Sequence, residues 1–189
     1  MRIFVTQNRM SSTLFGYRRT CMEGFVKISP KELGNAMKMI GTEWMLITVN
    51  DEAQGRANAM TASWGAMGVL WNKNVAICFV RPQRHTYTLM ANEERFSLAF
   101  FGEGHREALA LCGKESGRDC DKLALCGLST SELSGVPVIN EAETLLICRK
   151  LYEDDLREDC FLDKDMIKFY KDDYHTFYVC EIEEAYTRK

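Results

Sequence analysis

The sequence is poor in the residues and patterns that mark several common protein classes. Its 8 cysteines include no Cys-x-x-Cys pair. Of its three histidines only His105 lies near Cys112, Cys120 and Cys126, so the tight ligand spacing of a zinc site is missing and no metal ligand is assigned. No apolar run reaches the eighteen or so residues of a membrane-spanning helix. There is no Gly-x-Gly-x-x-Gly and no regular strand–helix alternation, which argues against a doubly wound dinucleotide-binding sheet. A formal net charge of -3 lacks the basic surplus of a general nucleic-acid binder. Neither an internal repeat nor a linker divides the chain.

What remains is the composition of one globular domain, 46% hydrophobic and 27% charged, long enough to bury a full core. Cys78, Cys148 and Cys180 sit inside apolar runs and read as small hydrophobes. Without a secretory signal, free thiols fit a reducing cytoplasm. Residues 1–21 hold Arg2, Arg9, Arg18 and Arg19 with Ser and Thr and no acid, a composition like that of a transit peptide. They read more simply as an N-terminal arm, disordered or not native, with Met22 an ordinary start. The domain is therefore 22–189.

Ser29-Pro30-Lys31-Glu32 has the form of a capping box with Pro at the first helical position, and predicts a helix running to Gly41. Strands at 43–49 and 58–64 flank the polar turn 50–55 as a hairpin. Gly65 and Gly68 are expected to break the chain before a strand at 75–80. Further strands are expected at 96–101, 143–152 and 174–186. Short helices are expected at 86–93, 105–112, 122–125 and 164–170, and 127–138 reads as loop. Six or seven strands in hairpins, with short helices between them, predict a mainly β, closed or nearly closed antiparallel barrel.

Two stretches carry chemistry. In Asn58-Ala-Met-Thr-Ala-Ser-Trp64, the Thr61 and Ser63 hydroxyls fall on one side of an extended chain, Asn58 falls on the other, and Trp64 closes the run. Such a strand is suited to a planar, phosphate-bearing ligand, or is simply half exposed with its hydroxyls in water. Val80-Arg-Pro-Gln-Arg-His-Thr-Tyr87 sets two guanidiniums, Arg81 and Arg84, before a helix that starts near Thr86. That suits an anion, and the alternative is a solvated basic loop. The apolar strand 75–80 allows both stretches to lie at one end of a sheet.

Together with Ser116-Gly-Arg-Asp119, Lys122 and Asp173-Tyr-His-Thr-Phe177, these runs resemble, in order and spacing, the flavin reductase-like family of the FMN-binding split barrel, which includes flavoredoxin. The resemblance spans about 22–186. It implies a Greek-key split barrel working as a homodimer with FMN near the subunit interface. Asn58, Met60, Thr61, Ala62, Ser63 and Trp64 would line the flavin by main chain and hydroxyl, Arg81, Arg84 and Thr86 would take the phosphate, and His175 would position the nicotinamide. The activity it implies is transfer of reducing equivalents from NAD(P)H through FMN to a flavin, a metal or a protein. The alternatives are a flavoredoxin-type carrier with no direct NAD(P)H activity, and a barrel for another ligand. His85 is expected only to flank the phosphate loop, and Lys122 to be a helix-surface or interface lysine. Cys180 replaces the family's usual glycine.

Overall fold

Apolar residues run almost without a break through the central strands, so those strands bury both faces rather than one. The computed structural model describes residues 22–102 and 104–189, and the N-terminal arm lies outside the described residues. The strands are β1 (Phe25–Ile28), β2 (Met45–Asp51), β3 (Arg56–Ala62), β4 (Gly65–Leu70) and β5 (Lys73–Val80), followed by β6 (Arg95–Phe100), β7 (Thr130–Leu133), β8 (Val136–Ile139), β9 (Thr144–Asp155) and β10 (Thr176–Arg188). The α-helices are α1 (His85–Met90), α2 (Arg106–Lys114) and α3 (Lys122–Leu125).

One eight-stranded sheet runs in the order β3-β2-β6-β9-β10-β5-β4, with β1 added on β10. Its pairings are antiparallel. This is the mainly β split barrel expected from the sequence. Met45, Ile47 and Val49 of β2, Phe96 and Leu98 of β6, and Leu146 and Cys148 of β9 fill its interior. The residues between them, Leu46, Ala99, Leu145 and Ile147, face a second core. There they meet Leu109 and Cys112 of α2, Leu123 of α3, and the β7–β8 hairpin. Each such aliphatic side chain contributes roughly 1.5–3 kcal/mol by leaving water.

Three local expectations are corrected. The capping box at Ser29 forms, with the Ser29 N–H donating to Glu32 Oε2 at 2.7 Å, but the helix stops after one 3-10 turn, Pro30–Glu32. Gly34 and Asn35 follow, both poor helix formers. The chain winds again from Asn35, whose side chain accepts from the Lys38 N–H at 3.1 Å, and a π turn, Lys38–Glu43, carries it through Gly41. Second, Gly65 and Gly68 do not interrupt the sheet. They lie in β4, which returns into β5 through Trp71 and Asn72, both at positive φ. Third, 127–138 is not all loop, because Ser134 and Gly135, at φ 53 and 77, turn β7 tightly into β8. Pro137, a residue usually excluded from sheets, sits in that small hairpin.

Gly65 of β4 packs against the backbone of β5. A Cβ there would stand 2.6 Å from the Ile77 carbonyl oxygen, whereas at Gly68 it would meet nothing within 4 Å. Gly65→Ala is expected to destabilise the protein by about 1–3 kcal/mol, and Gly68→Ala by well under 1 kcal/mol. Denaturant unfolding of the two variants checks the difference.

Candidate functional site

β3 and β4 are the two ends of the sheet order, and Ser63 and Trp64 alone connect them. At that seam lies a cavity of about 270 Å³. The chain from Met60 through Thr61, Ala62 and Ser63 to Trp64 forms one wall. Phe79, Arg81 and Arg84 come from β5 and the turn after it, Gly113 from α2, and His175 from the approach to β10. The structure thus brings the hydroxyl-bearing stretch and the two arginines to a single cavity, with His175 beside them.

Not every expected residue reaches it. Asn58 is buried, and its Nδ2 donates to the Thr86 hydroxyl at 2.9 Å. Neither side chain lines the cavity. Asn58 shares the inward face of β3 with Met60 and Ala62, which is why it points into the barrel end. Above it passes the Ser116–Asp119 loop, where a Cβ at Gly117 would overlap Asn58 Oδ1. Gln54 Nε2 and an Arg56 guanidinium nitrogen hold the Gly117 carbonyl at 3.1 and 3.0 Å. Thr61 does not pair with Ser63 in a common role, because its hydroxyl donates to the Leu109 carbonyl and ties β3 to α2. His85 lies behind the turn, its Nε2 2.6 Å from a buried Asp51 carboxylate oxygen.

The two guanidiniums differ in their partners. Arg81 forms an ion pair with Asp173, donates to the Phe169 carbonyl at 3.0 Å, and stacks 5.3 Å from the Tyr170 ring centroid. Asp173 is held well below the usual carboxylate range, first by the Lys171 N–H and then by Arg81 and Gln83. Among the described residues the Arg84 guanidinium reaches only the Cys112 carbonyl, at 3.5 Å. Burial, and then the charge of Arg81, lower its pKa, and no carboxylate among the described residues bears on it.

Trp64 is not a core residue, since it is 42% exposed. Its ring centroid stands 5.1 Å from His175, 5.9 Å from Phe169 and 6.4 Å from Tyr170. His175 is not a water-facing strand end either. It is buried, and its Nδ1 lies 3.3 Å from the Tyr170 hydroxyl. Burial, reinforced by Arg81, lowers its pKa to about 4. The ring is therefore neutral at pH 7, suited to hydrogen bonding and stacking but not to acid catalysis.

Sequence reasoning missed Phe79, Gly113 and the aromatic segment ending in Tyr170. Phe79 follows from alternation, since it stands two residues before Arg81 and shares its face. Gly113 and Tyr170 reach the site only through tertiary packing. The imidazole of His175 is expected to titrate near pH 4, and a side-chain NMR titration that finds an ordinary midpoint near 6.5 would contradict the buried ring.

A flavin fits these residues. The cavity has a backbone strand wall, an indole, an imidazole, and a guanidinium on which no carboxylate among the described residues bears, as suits a planar ring with an anionic tail. The solved structures similar to this chain point the same way in fold. The FMN-binding domain of a flavin reductases-like enzyme from Shewanella baltica OS155 is 15% identical, covering 87% of this chain and 77% of that one, with a TM-score of 0.63. Flavoredoxin from Methanosarcina acetivorans is 22% identical, covering 98% and 77%, with a TM-score of 0.58. The NADH:FAD oxidoreductase SgcE6 of Streptomyces globisporus C-1027, solved with NAD and FAD fragments, is 19% identical, covering 78% and 75%, with a TM-score of 0.55. No curated protein matches the sequence. The family model for the flavin reductase like domain matches residues 37–189, and the chain belongs to that family.

Proposed function

We propose that this protein is an FMN-dependent oxidoreductase that takes reducing equivalents from NAD(P)H and delivers them to a second flavin, a metal ion or a protein. The observation that carries the proposal is the meeting, in one cavity, of the Met60–Trp64 wall, the unneutralised Arg84 and the neutral His175. Bound FMN would supply the redox chemistry, accepting a hydride from reduced nicotinamide and passing electrons on.

The chain's own residues would bind, orient and exclude water. Main-chain groups from Met60 to Ser63 lie at a sheet edge that no other strand of the described residues covers, which leaves donors and acceptors for a ring's polar margin. Donors at the margin where charge accumulates on reduction would favour the reduced form. Arg84 would meet the phosphate, joined by Arg81 if its fork leaves Asp173. Asn58 and Thr86 would support the turn from behind. Trp64, with Tyr170 and Phe169 around it, would shield the face of the ring. His175 would hold the nicotinamide amide or ring without donating a proton, since hydride transfer needs close stacking rather than a strong acid.

The homodimer is part of the same proposal. Val69 and Trp71, 72% and 56% exposed on the β4–β5 edge, are the kind of apolar surface a second subunit covers. The fold shared with an oxidoreductase solved with NAD and FAD fragments supports the nicotinamide reading. The fold shared with flavoredoxin keeps the carrier reading in play.

Anaerobic addition of NADH or NADPH is expected to bleach the flavin absorbance of the FMN-loaded protein. Reduction only by dithionite or a redox protein would instead identify a carrier. Arg84→Ala is expected to weaken FMN binding roughly 10- to 100-fold, and Arg81→Ala with Arg84→Ala further still, given about 1.5–3 kcal/mol per charge-assisted bond. Unchanged affinity in the double variant removes the phosphate assignment. His175→Ala is expected to retain FMN and slow its reduction by nicotinamide, which stopped-flow absorbance measures.

A further inference from the structure

Lys122 opens α3, where a four-residue surface helix gives a lysine every chance to face water. It is instead 4% exposed, which corrects the expectation of a helix-surface lysine. Its Nζ donates to the Cys112 carbonyl and to the Glu115 carbonyl, each at 3.2 Å, so it closes the C-terminal end of α2. The charged and titratable groups that bear on it are Arg84 and the thiols of Cys112, Cys120 and Cys126. The nearest carboxylate on its own helix, Asp121, is engaged by Arg56 at 3.2 Å and by the Ala124 N–H.

The Cys112 carbonyl is also the one that Arg84 touches, at the outer limit of a hydrogen bond. A buried ammonium and a half-buried guanidinium therefore converge on one neutral oxygen. Arg81, by contrast, is neutralised by Asp173. The excess positive charge of the site lies at its Arg84–Lys122 end: Arg84 lines the cavity beside Gly113, and Lys122 stands behind it on the Cys112 carbonyl that both touch. Withdrawing such charges from water, with no carboxylate among the described residues acting on either, is unfavourable until an anion arrives.

We infer that Lys122 is a positioning and specificity-determining residue: it holds the Cys112 carbonyl so that the Arg84 fork can turn to an anion, and its charge makes the cavity select a flavin carrying a phosphate monoester over one without. The inference rests on the flavin reading above and goes beyond it by naming the charge that discriminates. It also carries a pH dependence. Burial, and then Arg84, lower the Lys122 pKa to about 8. An anion bound nearby raises that pKa again, so the added affinity is present below about pH 8 and falls as pH rises through it. The Cys112 thiol, raised to about 12 by burial and then by Cys126, stays neutral across this range. The phosphate is already largely dianionic at pH 7, its second pKa being about 6.

The test is equilibrium binding of FMN and of riboflavin, followed by flavin fluorescence, to the wild-type protein and to Lys122→Gln at pH 7 and 9.5. Ionisations common to both flavins cancel in the affinity ratio. The wild type is expected to prefer FMN, and Lys122→Gln to reduce that preference about tenfold or more while leaving riboflavin affinity unchanged, which also shows that the variant is folded. In the wild type alone the preference is expected to drop by about tenfold between pH 7 and 9.5, and in Lys122→Gln to stay flat. A preference that survives the substitution, or a wild-type ratio independent of pH, overturns the inference and leaves the flavin reading standing. Binding of neither flavin to the wild type overturns both.

Discussion

The sheet stops between β3 and β4, and the site depends on that interruption. A closed barrel would pair every backbone group at this edge and leave a ligand nothing to bond. Here β3 pairs with β2 on one side only, and the chain crosses the gap through Ser63 and Trp64 without forming a ladder. The gap is held open from three sides. The Thr61 hydroxyl ties the edge strand to α2, and Gly65 is pressed against β5 so closely that no side chain fits. Trp64 then has no place in the interior and turns into the cavity, where aromatic residues of the segment between β9 and β10 meet it. A strand end, a helix and a flap thus become one wall because the sheet fails to close.

Charge is distributed unevenly along that wall, and this follows from what each cation can reach. Arg81 leaves the end of β5 beside the flap, so Asp173 and Tyr170 are within range. Arg84, three residues on, reaches instead a backbone carbonyl near the C-terminal end of α2, and no carboxylate among the described residues bears on its charge. A carbonyl satisfies a hydrogen bond without cancelling a charge. The same reasoning explains the neutral histidine. Packed against Trp64 and Phe79 and near Arg81, an imidazolium would be both desolvated and repelled, so the ring keeps one proton and serves geometry.

How much of this could be read in the residues depended on whether the signal was local. The continuous apolar runs of β2, β6 and β9 are a local signal, and those strands fell where expected to within a few residues. The union of 58–64 with Arg81 and Arg84 was legible because one apolar strand joins them. The β7–β8 hairpin was not, since its four-residue strands are too short for periodicity and Pro137 argues against a strand. The helix expected from Ser29 to Gly41 failed for the converse reason. The capping box is a true local signal, but Gly34 and Asn35 outweigh it one turn later. Within the site, the partners of side chains were least accessible. Nothing in Asn-Ala-Met-Thr states that Thr61 faces α2 while Asn58 faces Thr86.

Lys122 shows where local reading is bound to misjudge. On a short helix with Asp121 as its cap, a lysine reads as a solvated side chain, and composition supports that reading. The deciding fact is non-local: α2 ends directly against α3, and its last carbonyls need donors. A lysine stem laid across apolar neighbours can deliver an ammonium to those carbonyls. The ammonium then remains charged in a poorly solvated place, beside a guanidinium, and no carboxylate among the described residues acts on either. Capping a helix could be done by a glutamine or a serine at less electrostatic cost. A full positive charge at this position is therefore better explained by the cavity that Arg84 and Gly113 line than by the helix it caps.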